Sequence, residues 1–95
     1  SLPKKHRGIE YVLNIHYFAS IRERLNKETE EIEFSQSVST VDELITHLQN
    51  IDSATEAAFS SAGKILVAVN QTVVNRDHVL TDNDEIAFFP PMTGG

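Results

Sequence analysis

The residues of this chain best placed to do chemistry stand at its end. Gly94-Gly95 closes the sequence, behind Pro90-Pro91-Met92-Thr93. Two glycines without side chains can enter a narrow channel and adopt backbone angles closed to other residues. The prolines favour an extended polyproline-type segment, and six residues reach about 20 Å at most. Residues 90–95 therefore read as an extended tail that would carry the Gly95 carboxylate into another protein's active site. A carboxylate is a poor electrophile at neutral pH and must first become an acyl-adenylate. The chain has no Gly-rich phosphate-cradling loop, which assigns the ATP to a separate activating enzyme. A sulfur donor that then displaced AMP would leave a C-terminal thiocarboxylate.

Other groups offer less. There is no cysteine, which removes disulfides, thiolate nucleophiles and Cys-based metal sites. His6, His16, His47 and His78 show no metal-ligand spacing with one another, so no metal is expected. Asp77-His78 has the types for acid/base work, but neighbouring side chains on an extended backbone point opposite ways. A polar loop is the expectation there. Glu28, Glu30, Glu31 and Glu33 read as a solvated or partner-facing strand rather than a cation site.

These residues need a scaffold, and 95 residues allow one domain with a modest core. The formal charge is −6. Lys4, Lys5 and Arg7 fall in the first eight residues, leaving −9 on residues 9–95. So acidic a body repels nucleic acid and anionic membranes and suits a basic partner surface. The longest apolar run, residues 65–69, is too short to span a bilayer, and a cytoplasmic protein is expected. Residues 1–8 read as a leader outside the fold, residues 9–89 as the domain.

Alternation along residues 11–18 predicts a strand with Leu13, Ile15 and Tyr17 on one face and Asn14, His16 and Phe18 on the other. Ser20-Ile21-Arg22-Glu23 fits a capping box, closed by Asn26, which tolerates the left-handed conformation. Residues 30–34 predict a second strand with Glu31 and Glu33 outward. Thr40-Val41-Asp42-Glu43 opens the main helix, where Val41, Leu44, Ile45, Leu48 and Ile51 form one apolar stripe. Ser53-Ala54-Thr55-Glu56 starts a shorter helix that ends before Gly63. Strands follow over 64–69, 72–75 and 85–89, with a tight turn at Asn70-Gln71 and a polar loop through residues 81–84. Pro90 ends the last strand because it brings no amide donor. This order predicts an α+β domain of the ubiquitin-like β-grasp type, a mixed sheet with one main helix packed across it.

Val69-Asn70-Gln71-Thr72, the run from Leu80 through Thr81-Asp82-Asn83-Asp84 to Phe88-Phe89-Pro90-Pro91-Met92-Thr93-Gly94-Gly95, and Tyr17-Phe18-Ala19 through Arg22-Glu23 together resemble the small, sulfur-carrying subunit family of molybdopterin synthase. The resemblance runs from Tyr11 to Gly95. It differs at Asn26 and Asn83, where that family usually has Gly, and at Met92, where a smaller aliphatic is usual.

The resemblance implies that an E1-like enzyme uses ATP and magnesium to adenylate Gly95, which then becomes a thiocarboxylate. Residues 90–94 (Pro90, Pro91, Met92, Thr93 and Gly94) would enter the large subunit's active site and deliver sulfur to cyclic pyranopterin monophosphate, forming the molybdopterin dithiolene. Phe18, Arg22, Val73 and Phe89 would line the docking surface. Two small and two large subunits would make a heterotetramer, with no cofactor bound to the small one and no catalytic side chain of its own. Two rivals share the Gly-Gly end: the sulfur carrier of thiamine biosynthesis and a ubiquitin-like modifier that forms isopeptides.

Overall fold

The computed structural model describes residues 12–33 and 38–91. The expected leader and residues 92–95 lie outside these, as do Tyr11 and Phe34, the outer residues of two expected strands.

Strand β1 spans Val12–Tyr17 and buries Leu13, Ile15 and Tyr17 while Asn14 and His16 stay half-exposed, as alternation requires. It runs without a loop into helix α1, Ala19–Leu25. The helix does not use the Ser20 capping box. Phe18 takes the cap position with no side-chain hydrogen bond, because the strand feeds straight into the first turn and leaves Ser20 already inside it. Ala19 pays for this abrupt entry with φ 54, a region that costs a residue with Cβ about 1–2 kcal/mol. Asn26 ends α1 in the left-handed conformation, its amide donating to the Arg22 carbonyl at 2.8 Å. Asn tolerates that conformation where a glycine would otherwise serve.

Strand β2, Thr29–Glu33, lies antiparallel to β1 with Ile32 buried and Glu31 and Glu33 exposed. Its Glu30 faces inward and accepts a 2.8 Å hydrogen bond from the Tyr17 phenol and a 2.9 Å ion pair from Lys27. Burial, and then the bond to and charge of Glu30, push the Tyr17 phenol well above its ordinary pKa. Tyr17 therefore remains a neutral donor and fixes the edge strand to the core.

Helix α2, Val41–Ile51, has the predicted capping box. Thr40 Oγ1 accepts from the Glu43 amide at 3.2 Å, and Glu43 Oε1 accepts from the Ser39 amide, Ser39 hydroxyl and Thr40 amide at 2.8, 3.0 and 3.1 Å. Val41, Leu44, Ile45 and Leu48 are buried, but Ile51, expected to extend the stripe, is 54% exposed in the last turn. There the chain already bends at Asp52, an extended residue that both ends α2 and caps helix α3, Ser53–Ala62. Asp52 accepts from the Ala54 amide at 3.0 Å and the Thr55 hydroxyl at 3.2 Å. It thus takes the capping role expected of Ser53. A carboxylate one residue earlier satisfies a first-turn amide and adds a charge favourable to the helix dipole. Gly63 stops α3 with φ 74.

The Ser39 amide and hydroxyl, with Thr40, hold the Glu43 carboxyl below its ordinary value of 4.5. A depressed carboxyl pKa stabilises the fold fully above the unfolded value and loses that contribution as pH falls through the folded one. Glu43→Gln should therefore lower the melting temperature above pH 4.5, and the gap to wild type should close on acidification. Thermal melts across that window check the sign.

Strand β3, Leu66–Val69, turns through Asn70 and Gln71 into β4, Thr72–Val73, and β5 is Glu85–Phe89. Asn70 and Gln71 have φ 51 and 72, the twist that suits a two-residue hairpin loop. Strand β4 is only two residues long, half the expected strand, and β3 begins two residues late because α3 and Gly63 take up the chain. The sheet order is β2-β1-β5-β3-β4, with β5 parallel to β1 and antiparallel to β3. The sheet is mixed and packs its buried face against the helices, as the β-grasp expectation has it. Two shorter helices accompany α2, and α1 and α3 pack on each other. The buried face contributes Leu13, Ile15, Tyr17, Val67, Val69, Ile86 and Phe88, and α2 and α3 contribute Leu44, Leu48 and Phe59.

The loop before β5 is anchored by Asp84, which is 7% exposed. Its carboxylate accepts from Asn70 Nδ2 at 2.8 Å, the Thr81 amide at 2.8 Å and the Thr81 hydroxyl at 3.1 Å. Asn70 Oδ1 in turn accepts from the Glu85 amide at 3.0 Å. Asn83 adopts φ 72, so here too Asn fills a position suited to Gly. Asp84→Ala removes part-buried hydrogen bonds to a charged acceptor, a class worth about 1.5–3 kcal/mol. A loss within that range, read by chemical denaturation, is expected.

Candidate docking face and tail root

The register places the sheet's outer face without ambiguity, since residues directly opposite share a face. Val73 pairs with Ala68, Ala68 with Ala87, and Ala87 with His16. Two residues nearer the tail, Leu66 pairs with Phe89. Phe18 stands at the same level on the β1 side, its amide donating to the Phe88 carbonyl at 3.1 Å. Strands lie about 4.8 Å apart, so the row Phe18, Phe89, Leu66 is about 10 Å wide. Phe18 is 45% and Val73 63% exposed, whereas Phe89 is half-buried.

Three of the four expected docking residues, Phe18, Val73 and Phe89, are therefore brought to one apolar face. Arg22 is exposed in the first turn of α1, its amide donating to the Phe18 carbonyl at 3.3 Å. Sequence reading missed Leu66, Ala68 and Ala87, which complete the face. The signal was present: a strand apolar at every position has two faces to cover, and only one belongs to the core.

The inward alternates are equally clear. Phe88 is fully buried, stacked on Tyr17 with ring centroids 6.1 Å apart and tilted against Phe59 at 5.3 Å. Strand β5 is bonded on both sides, by β1 and β3, up to Phe89. Pro90 and Pro91 follow, half-buried. The expected reacting residue Gly95, with Met92, Thr93 and Gly94, lies outside the described residues. What the fold supplies is a root for that segment, held in the middle of the sheet.

No cluster of metal-ligating side chains occurs among the described residues. Asp77 is exposed and His78 half-buried, and His78 serves through its backbone, its carbonyl accepting from the Val41 amide at 3.0 Å. His16 approaches Glu85 at 3.7 Å on the outer face. None of the helices among the described residues is long and apolar enough to cross a membrane.

The profile of the ThiS family matches residues 15–95. The chain belongs to the ThiS family. Among its relatives, the molybdopterin synthase sulfur carrier subunit of Escherichia coli (strain K12) is 42% identical over 84 residues, covering 88% of this chain and 100% of that protein. The resemblance drawn from the terminal motif is thus borne out. Solved structures agree on the fold. SAMP1 from Haloferax volcanii superposes with a TM-score of 0.70 at 25% identity, covering 88% of this chain and 99% of that one. A chain of the protein–protein complex of subunits 1 and 2 of the molybdopterin-converting factor from Helicobacter pylori 26695 has the same fold. The match there has a TM-score of 0.63 at 24% identity, over 88% of this chain and 99% of that one. In this ThiS-family member the apolar face and the root of the C-terminal segment adjoin each other at one end of the sheet.

Proposed function

We propose that this chain is the sulfur carrier subunit of a molybdopterin synthase, acting through Gly95. An E1-like enzyme adenylates the Gly95 carboxylate with ATP and magnesium. Sulfur then displaces AMP, leaving a thiocarboxylate. The large subunit covers the outer face at Phe18, Arg22, Val73 and Phe89, while residues 90–94 lead Gly95 into its active site. There each thiocarboxylate gives one sulfur to cyclic pyranopterin monophosphate while water restores the Gly95 carboxylate, so that two loaded carriers supply the two sulfurs of the dithiolene. Two small and two large subunits assemble, in the cytoplasm, and the small subunit contributes no catalytic side chain.

The observation that carries this reading is the adjacency just described. A central strand, hydrogen-bonded on both sides, ends at an outer-face apolar row, exposed at Phe18 and half-buried at Phe89 and Leu66, and continues into Pro90-Pro91. A partner seated on that row would stand over the start of the C-terminal segment. The identity to sulfur carrier subunits supplies the chemistry.

Intact-mass measurement after incubation with ATP, magnesium, an E1-like enzyme and a sulfur source tests it. The expected product has one oxygen of Gly95 replaced by sulfur. Adducts confined to lysine side chains would favour the protein-modifier reading instead.

A further inference from the structure

The described residues include five cations, and their placement is uneven. Lys27 pairs with Glu30 at 2.9 Å and Arg76 with Asp42 at 3.1 Å. Arg22, Arg24 and Lys64 are exposed, and no ion pair engages them among the described residues. In a chain with an excess of carboxylates, three unpaired cations are not needed for internal neutralisation. All three gather at the end of the sheet where β5 releases the C-terminal segment. Helix α1 begins directly at the end of β1, beside Phe88. Lys64 lies two residues before Leu66, which pairs with Phe89, and so sits at the end of the sheet where Pro90 and Pro91 follow β5. Glu31, Glu33, Asp82, Asp84 and Glu85 lie toward the opposite end, near Val12 and Asn14. Glu23, Glu28 and Glu30 share the cationic end, Glu30 already paired with Lys27 and bonded to the Tyr17 phenol, and the Asp52 charge reaches Tyr17 there.

Arg22 and Lys64 stand on the two sides of the row Phe18, Phe89, Leu66. Arg24 lies on the other flank of α1, 200° round the helix from Arg22 at about 100° per residue. We propose that Lys64 is a docking residue, matched across the apolar row by Arg22, and that the two meet separate carboxylates on the rim of the large subunit's socket. A small anion such as phosphate needs donors that converge on one point. These two cations instead flank a row that is itself two strand spacings wide, about 10 Å, with apolar side chains between them. That spacing fits a protein surface that covers the row and presents an acidic residue on either side. The chain's overall acidity argued for a basic partner, and at this face the local charge reverses the expectation.

This inference rests on the docking reading above, so its test must separate the two. Affinity for the purified large subunit would be titrated calorimetrically at low and high salt for full-length wild type, Lys64→Arg, Lys64→Ala, Lys64→Glu and Phe89→Ala. Lys64→Ala should weaken binding about threefold and Lys64→Glu about tenfold at low salt. Both should flatten the salt dependence, and Lys64→Arg should behave as wild type. Denaturation midpoints should not move, because Lys64 is exposed and unpaired. If Phe89→Ala weakens binding while Lys64→Glu matches wild type at both salts, the role of Lys64 is overturned and the docking face stands. If neither substitution matters, the docking face itself is wrong.

Discussion

Phe88→Ala should destabilise the free domain by about 3–5 kcal/mol, the usual cost of emptying a fully buried phenylalanine site. Its ring is enclosed between Tyr17 and Phe59, and neither neighbour can collapse into the space without leaving its own packing. Phe89→Ala, one residue on, should cost far less, about 1 kcal/mol, because a half-buried ring loses only part of its transfer free energy. Its main effect should appear in association. Truncating an aromatic anchor at an interface costs about 2 kcal/mol or more, roughly thirty-fold in affinity. Chemical denaturation and calorimetric titration of both variants measure the two effects separately. A Phe89→Ala variant that unfolds the domain while binding normally per folded molecule would place the interface elsewhere.

The second large effect concerns the end of the chain. Deleting Gly94-Gly95 should abolish dithiolene formation, since the carboxylate would then belong to Thr93, short of the reacting position and bearing a Cβ. Folding stability should stay within about 0.5 kcal/mol of wild type, the range for changes away from packed features. Two glycines bring no side chain to bury, so their loss removes no apolar side-chain packing. A large fall in melting temperature would reassign the glycines to a structural role.

Much of this was legible in the sequence because the short-range signals agreed with the tertiary outcome. Alternation in β1 separated Leu13, Ile15 and Tyr17 from Phe18. The Thr40 capping box and the Asn70-Gln71 turn formed as their residue types dictate. Asn26 and Asn83 adopted the left-handed angles that made glycine the usual occupant. The failures came where two local solutions competed. Ser20 and Ser53 each stand three residues before a glutamate, yet the chain's path put Phe18 and Asp52 at the caps. Ile51 matched the helical period but fell where α2 gives way to Asp52. Phe89, expected on the docking surface, is half-buried, with Leu66 paired beside it. The burial of Asp84 and the position of Lys64 depend on strand pairing, which no window along the chain contains.

Sulfur transfer from the terminus is the central claim, and a single-turnover experiment addresses it most directly. The chain would be loaded with radiolabelled sulfur at Gly95, freed of the activating enzyme and donor, and mixed with the large subunit and cyclic pyranopterin monophosphate. Label should leave the protein and appear in the dithiolene in step with its formation. Dithiolene formed with unlabelled sulfur, or label retained on the chain while product accumulates, would contradict it.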